Sequence, residues 1–283
     1  MSPDRPNDPS SRIRVGVDSG GTFTDICVFD EAEGDVFVWK VSSTPADPSE
    51  AIVAGIVEGL GAHEGGALDP ARVGYFGHGT TVGTNALIQG RGAETGLITT
   101  RGFRDVLEIR RQKRPELYDL QADKPPLLAT RDKRLEVTER VLFDGTVMTP
   151  LDEDEVRLAV RQLKEEKVAA IAVCTLFSFI QPAHEARIRQ IVEEEYPGVF
   201  ISVSHEIAPE FREYERLTTT VVNAYLGPIM RAYLERLSPR VAAAGLTLEP
   251  HLTQSNGGVI SCDTAKEQPV RTVLSGPAAG VMA

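Results

Sequence analysis

The chain has 283 residues, 41% of them hydrophobic, enough for two domains of ordinary size with a substantial core. A net charge of -11 and a pI of about 5.0 leave no electrostatic footprint for nucleic acid or an anionic membrane. Cys27, Cys174 and Cys262 stand far apart with no Cys-x-x-Cys spacing, which argues against structural zinc; Cys27 and Cys174 fall in apolar runs and read as buried thiols.

Residues 1–11 are polar and carry three prolines, so a disordered lead is expected there and not a signal peptide. Ile13, Val15 and Val17 then alternate with Arg14 and Gly16, the period of a strand. Ser19-Gly20-Gly21-Thr22 is a turn, with Gly20 or Gly21 expected at positive φ, and Ile26, Val28 and Phe29 resume a strand. Two readings of this hairpin stay open. In one it is a phosphate cradle, in which glycine N–H groups and the hydroxyls of Thr22 and Thr24 meet a phosphoryl group. Asp18 would then need a cation between itself and the phosphate, a Mg²⁺ held through water. In the other, the Gly-Gly turn only reverses the chain.

Val36–Val41 reads as a third strand, and Ser49 as the cap of a helix to about Leu60 with Ile52, Ile56, Val57 and Leu60 on one face. Val73–Gly77 is a strand leading into His78-Gly79-Thr80-Thr81, after which a helix is expected near Thr81 with its N–H groups toward an anion. The alternative is an ordinary cap by Thr80 or Thr81, with His78 a packed loop residue. Residues 94–99 form a short strand. Arg110, Arg111, Lys113 and Arg114 make a local basic cluster, which either receives a phosphate or carboxylate or is a solvated loop paired with nearby acids.

Leu135–Phe143 reads as a strand followed by the turn Asp144-Gly145, and Asp152 with Glu155 has the spacing of a capping box for a helix to about Glu166. The apolar run from Val168 to Phe177 is typical of a parallel strand buried on both faces. A helix over 183–195 and a strand Val199–Val203 complete a β-α-β unit. Phe211, Tyr214, Leu217, Val221 and Tyr225 mark a helical core face, with Gly227-Pro228 expected to kink or break the helix. A strand over 246–252, a glycine turn at 255–258 and a strand-to-helix junction at 274–281 follow, the last capped by Ser275 with Pro277 in its first turn.

Asp18-Ser19-Gly20-Gly21-Thr22-Phe23-Thr24-Asp25 resembles the first phosphate motif of the hydantoinase A/5-oxoprolinase family, a branch of the actin-like ATPases. His78-Gly79-Thr80-Thr81-Val82-Gly83-Thr84-Asn85-Ala86-Leu87 resembles its second signature, with Gly83 where the family often has Ala. Gly102-Phe103-Arg104-Asp105 and Ser275-Gly276-Pro277 are similar to further family segments. The resemblance implies an α/β, ribonuclease H-like mixed sheet with flanking helices and the truncated start of a second lobe. It suggests an N-terminal domain over 12–200 and the start of a hydantoinase A domain over 201–283. Relatives continue for several hundred residues with a second Asp-x-Gly-Gly-Thr hairpin, so a fragment is expected, with fast hydrogen exchange from about 250 onward.

The implied activity is ATP-dependent opening of a cyclic amide, a hydantoin or 5-oxoproline, through phosphorylation of the carbonyl oxygen. Ketone carboxylation of the acetone or acetophenone type is one alternative, and a truncated, non-catalytic module another. The resemblance implies ATP and Mg²⁺ as cofactors, Asp18 positioning the metal, and a catalytic set of Asp18, Thr22, Asp25 and His78. It implies a nucleotide-binding set of Ser19, Gly20, Gly21, Thr22, Thr24, Gly79, Thr80, Thr81, Asn85, Ser275, Gly276 and Pro277. A cytoplasmic protein is expected, in a homo- or hetero-oligomer with a hydantoinase B-type subunit and without nucleic acid or membrane.

Overall fold

A computed structural model describes residues 13–61, 67–113, 116, 118–119, 121–122 and 125–276. The expected lead over 1–11, Arg114 of the basic run, and Pro277 lie outside the described residues. The chain divides into two compact units, residues 1–91 with 229–283, and residues 92–228. Among the described residues no helix is long and apolar enough to cross a membrane.

The first unit opens with β1 (Ile13–Ser19), β2 (Phe23–Asp30), β3 (Asp35–Ser42), α1 (Pro48–Gly61), β4 (Val73–Thr80) and α2 (Val82–Ile88). The second holds β5 (Thr95–Thr100), α3 (Val106–Ile109), β6 (Arg134–Val137), β7 (Arg140–Val141) and β8 (Val147–Thr149). It continues through α4 (Glu153–Glu165), β9 (Ala170–Cys174), α5 (Ala183–Glu195), β10 (Phe200–Val203) and α6 (Ser204–Ile207). Helix α7 (Glu213–Ala243) begins in the second unit, and its residues from 229 on belong to the first. The first unit closes with β11 (His251–Thr253), β12 (Val259–Ile260) and α8 (Cys262–Glu267).

In the first unit six strands run in the order β12-β11-β4-β1-β2-β3. β1, β2 and β3 are an antiparallel meander, while β4 lies parallel to β1 and β11 parallel to β4. Alternation along β1 and β2 sends Ile13, Val15, Val17, Ile26 and Val28 to one face, where Ile52, Ile56 and Leu60 of α1 and Met230, Leu234 and Leu237 of α7 cover them. Val57 is instead 51% exposed, because one step along a helix turns a side chain about 100° away from Ile56. Ser49 does not cap α1: Asp47 accepts from the Ser49 N–H at 3.3 Å and from its hydroxyl at 2.6 Å. Asp47 accordingly does the work expected of Ser49.

The second unit is built on a parallel sheet of order β10-β9-β5-β6. Every residue of β9 is buried: Ile171 and Val173 join the cluster under α4 and α5, while Ala170, Ala172 and Cys174 join Leu217, Val221 and Ala224 of α7. That is why the run reads as continuously apolar. Asp152 caps α4 by accepting from Glu155 N–H at 3.0 Å. The box is half made, since the Glu155 carboxylate turns to Thr138 N–H at 2.7 Å. The strand expected over 135–143 is split into β6 and β7, with Gly145 at φ 85° in the turn to β8.

Three further expectations give way to packing. α7 runs unbroken through Gly227-Pro228, flanked by fully buried Leu226 and Met230. The loss of one N–H costs less there than exposing those side chains. Phe211 is 66% exposed and lies before the helix, so the core face starts only at Leu217. The strand expected over 246–252 shortens to β11, and a 3-10 turn (Pro269–Thr272) stands where a strand was expected before Ser275. Cys27 is half-buried on the open sheet face, whereas Cys174 and Cys262 are buried.

Candidate functional site at the end of the first sheet

The β1–β2 turn and the β4–α2 turn are neighbours although about sixty residues separate them. Parallel pairing sets Asp18 beside Gly79 and Ser19 beside Thr80. The pairing continues past the strands, because Thr81 donates to the Ser19 carbonyl from its N–H at 3.1 Å and its hydroxyl at 3.0 Å. Both Thr81 donors are therefore spent on holding the turns together, and no side-chain cap forms on α2. Thr80 is buried; its hydroxyl accepts from Val82 N–H at 3.3 Å and its carbonyl accepts from Ser275 at 3.4 Å.

The tip of the hairpin is braced from beneath. Gly20 donates to the Phe23 carbonyl at 3.0 Å, and Ser43 donates to the Gly20 carbonyl at 2.9 Å. Buried Thr24 shares a hydrogen bond with Ser43 at 2.9 Å. Neither Gly20 nor Gly21 has positive φ, contrary to expectation. What favours glycine at position 20 is proximity: a Cβ there would stand 3.0 Å from the Phe23 oxygen, a tight contact. At Gly21 a Cβ would be 3.5 Å from the Asn85 amide nitrogen, which is ordinary contact. Thr22 is exposed at the tip.

Two concavities flank this tip. The first, about 300 Å³, is lined by Gly20, Gly21, Ser43, Asn85, Arg91 and Arg236 among others, and among the described residues its lining includes no carboxylate. Arg236 reaches it from α7 with Asp47 at 3.5 Å. The second is an open groove on the sheet face opposite α1, with Asp18 and Asp25 over Gly77 and Gly79, and Thr253 and Gly276 at its edge. Asp18 and Asp25 are directly opposite across β1 and β2, and Lys40 on β3 pairs with Asp25 at 3.0 Å. Partial burial first, and the charge of Asp25 second, raise the Asp18 carboxyl above its ordinary 3.8.

His78 is not brought to this carboxylate row. It lies on the opposite face of β4, fully buried, with Nε2 at 2.5 Å from the Tyr233 hydroxyl and Nδ1 at 3.4 Å from the Val17 oxygen. Burial pushes its pKa down to about 4, against a smaller upward pull from Val17, so the ring is neutral at pH 7. The alternative of a packed histidine matches this geometry.

The donor set suits a water-held Mg²⁺. Among the described residues no three His, Cys, Asp or Glu side chains gather to cage a metal. Mg²⁺ keeps several waters and takes one or two carboxylates plus phosphate oxygens. Asp18, crowded by Asp25, would be relieved by a cation. A cavity lined by two arginines and a glycine turn suits polyphosphate.

The family description "Hydantoinase/oxoprolinase N-terminal region" matches residues 14–196, and "Hydantoinase/oxoprolinase" matches 216–283. The chain belongs to the hydantoinase/oxoprolinase family. Caprolactamase subunit alpha of Pseudomonas jessenii is 37% identical, over 96% of this chain and 39% of its own length. A nucleotide-free acetone carboxylase structure, reported for ATP-dependent acetone carboxylation, superposes with a TM-score of 0.86 at 30% identity, over 96% of this chain and 40% of that one. The crystal structure of ATP-dependent caprolactamase from Pseudomonas jessenii gives 0.84 at 36%, over 94% and 39%. The chain thus spans about two fifths of the length of these relatives. The mixed sheet with flanking helices is the expected actin-like α/β class, shared with this family's solved members.

Within the family's two signatures, sequence reasoning found the turns but not their supports. Arg236 left a trace, its four-residue spacing from Arg240 on α7, both reaching Asp47. Arg91 and Ser43 left none.

Proposed function

We propose that this chain is the phosphate-handling part of an ATP-dependent enzyme that opens a cyclic amide. The carrying observation is the tip cavity, where Gly21, Asn85, Arg91 and Arg236 surround space that no carboxylate lines among the described residues, with Asp18 in the groove on the other side of the same tip. A ring amide resists water because resonance weakens its carbonyl as an electrophile. ATP, when bound, supplies a phosphoryl group to the carbonyl oxygen and so makes that oxygen a good leaving group. The protein's share is positioning and charge neutralisation. Gly21 and Asn85 orient the phosphates, Arg91 and Arg236 neutralise them, and Asp18 holds Mg²⁺ through water. Ser19 and Thr81 keep the two turns in register, and Gly20 and Thr24 brace the hairpin tip through Phe23 and Ser43. His78 is a structural residue in this reading. A cytoplasmic enzyme with a second, hydantoinase B-type subunit completes the proposal, motivated by the subunit designation of the caprolactamase relative.

Asp18→Asn in the full-length protein should lower ATP-dependent ring opening by roughly a hundredfold to a thousandfold with the fold retained. A near wild-type rate at saturating Mg²⁺ would remove Asp18 from the mechanism. A second reading, ATP-driven carboxylation of a ketone, is favoured by the superposition on acetone carboxylase. Comparing lactam-dependent with ketone- and bicarbonate-dependent ADP release by the full-length protein separates the two.

A further inference from the structure

The second unit holds a groove of about 540 Å³ that the proposed function does not use. It lies where β9 ends: Leu176, Phe177 and Phe179 follow that strand, Arg110 and Arg111 follow α3, and residues 211–216 lead into α7. The carboxyl ends of parallel strands are where open α/β sheets take up ligands.

Its lining carries four arginines against two glutamates. One of them, Arg216, is only 2% exposed. A terminal nitrogen of its guanidinium donates to the Thr175 carbonyl at 2.9 Å, to Ser204 at 2.8 Å and to Ser178. Its Nε is buried with no hydrogen-bond partner among the described residues. A buried charged donor without a partner is costly unless something supplies an acceptor. The guanidinium of Arg212 has no hydrogen bond or ion pair among the described residues and stands over the Phe211 ring at 5.3 Å, as Arg216 stands over Phe179 at 5.4 Å. Arg111 is committed to Glu215, and Arg110 donates to the Pro125 carbonyl at 2.7 Å.

The backbone is strained at the same place. Arg110, Phe177 and Arg212, all lining the groove, have φ of 57°, 55° and 74°, and Gln112, two residues from Arg110, has 56°. Only two other described non-glycine residues, Lys167 and Leu274, lie in that region. Positive φ is unfavourable for long or aromatic side chains, and such strain gathers at ligand sites.

We propose that this groove binds an organic anion, a carboxylate or phosphate ester. Its oxyanion is received by Arg212 and Arg216, and its apolar body lies against Phe177, Phe179 and Phe211. Guanidinium forks match both oxyanions, and the volume is that of a small-molecule site with room for more than a bare phosphate. The assignment is independent of the chemistry proposed for the first unit. Of the basic run at 110–114, for which an anion site and a paired loop were both open, Arg110 and Arg111 line the groove but are held by the Pro125 carbonyl and Glu215.

Calorimetric titration of the protein with benzoate, phenyl phosphate and inorganic phosphate tests it. Benzoate, phenyl phosphate or both should bind, each marking its oxyanion class, with inorganic phosphate weaker by about tenfold or more. Arg212→Gln, a change at an exposed position, should weaken that binding by about tenfold or more. The proposal fails if neither aromatic anion binds at millimolar concentration. It also fails if inorganic phosphate binds as tightly as phenyl phosphate, or if Arg212→Gln binds as the wild type does.

Discussion

His78 occupies the first position of the family's second signature, yet its ring is enclosed between Val17 and Tyr233 on the core side of β4. Its pKa of about 4, against 6.5 when free, means that the unfolded chain binds a proton between those values and the folded chain does not. Stability from this group is therefore full above pH 6.5 and lost as pH falls toward 4, a difference of roughly 3 kcal/mol. Thermal melts of wild type and His78→Asn across that window should show a steeper fall for the wild type, and the ring should not titrate near 6.5 by NMR. Gly79 makes a second residue-level case. A Cβ there would stand 2.9 Å from Asp18 Oδ1, so the carboxylate would have to move. Gly79→Ala in the full-length protein should cut turnover roughly tenfold to a hundredfold while the melting temperature changes little. Unchanged kinetics would mean that the Asp18 carboxylate is not held where its position matters.

At the scale of elements, α1 is fastened at its start by one carboxylate. Asp47 accepts from Ser49 and is flanked by Arg240 at 2.8 Å and Arg236 at 3.5 Å. Partial burial alone would raise this carboxyl; the Ser49 hydrogen bond and the charges of Arg240 and Arg236 outweigh it and hold it below 3.8. That contribution is present above the ordinary carboxylate range and lost as pH falls through the lowered value. Asp47→Ala should cost about 1–2 kcal/mol in denaturant unfolding, the range of a helix cap, with no further loss on acidification from this site. A change below a few tenths would show that the helix start is held by packing alone. The α1–β3 contact explains itself at Gly59, where a Cβ would fall 1.1 Å from the Trp39 ring. The Trp39 indole instead donates to the Gly55 carbonyl at 2.7 Å.

At the scale of the whole molecule, the first unit is discontinuous in sequence. Met230, Leu234, Leu237 and Val241 of α7 and Leu252 of β11 are all nearly fully buried in its core. Burying such side chains contributes roughly 1.5–3 kcal/mol each, together comparable with the roughly 5–15 kcal/mol that separates a folded domain from its unfolded state. A chain stopped after Pro228 should therefore lose hydrogen-exchange protection over β1, β2 and β4, while β5, β9 and β10 stay slow. Persistent protection of β1 in that shortened chain would mean that residues 13–91 form a core by themselves.

Local patterns decided much by themselves. Alternation placed β1, apolar stretches placed β2 and β3, an unbroken apolar run placed β9, and the Asp152–Glu155 spacing placed the start of α4, because each depends on neighbours within a few residues. The two signature turns were legible for the same reason. Whether His78 faces a ligand or a tyrosine 155 positions away was settled only by the parallel pairing of β4 with β1 and by the return of α7. The continuity of α7 through Gly227-Pro228 was likewise decided by burial on both sides of a weak point, which overrode local propensity. The φ of Gly20 and Gly21 depended on how Ser43 and Phe23 brace the tip from elsewhere in the fold. The arginines that meet at the two concavities come from distant segments, so no spacing in the chain could bring Arg91 to Arg236 or Arg110 to Arg216.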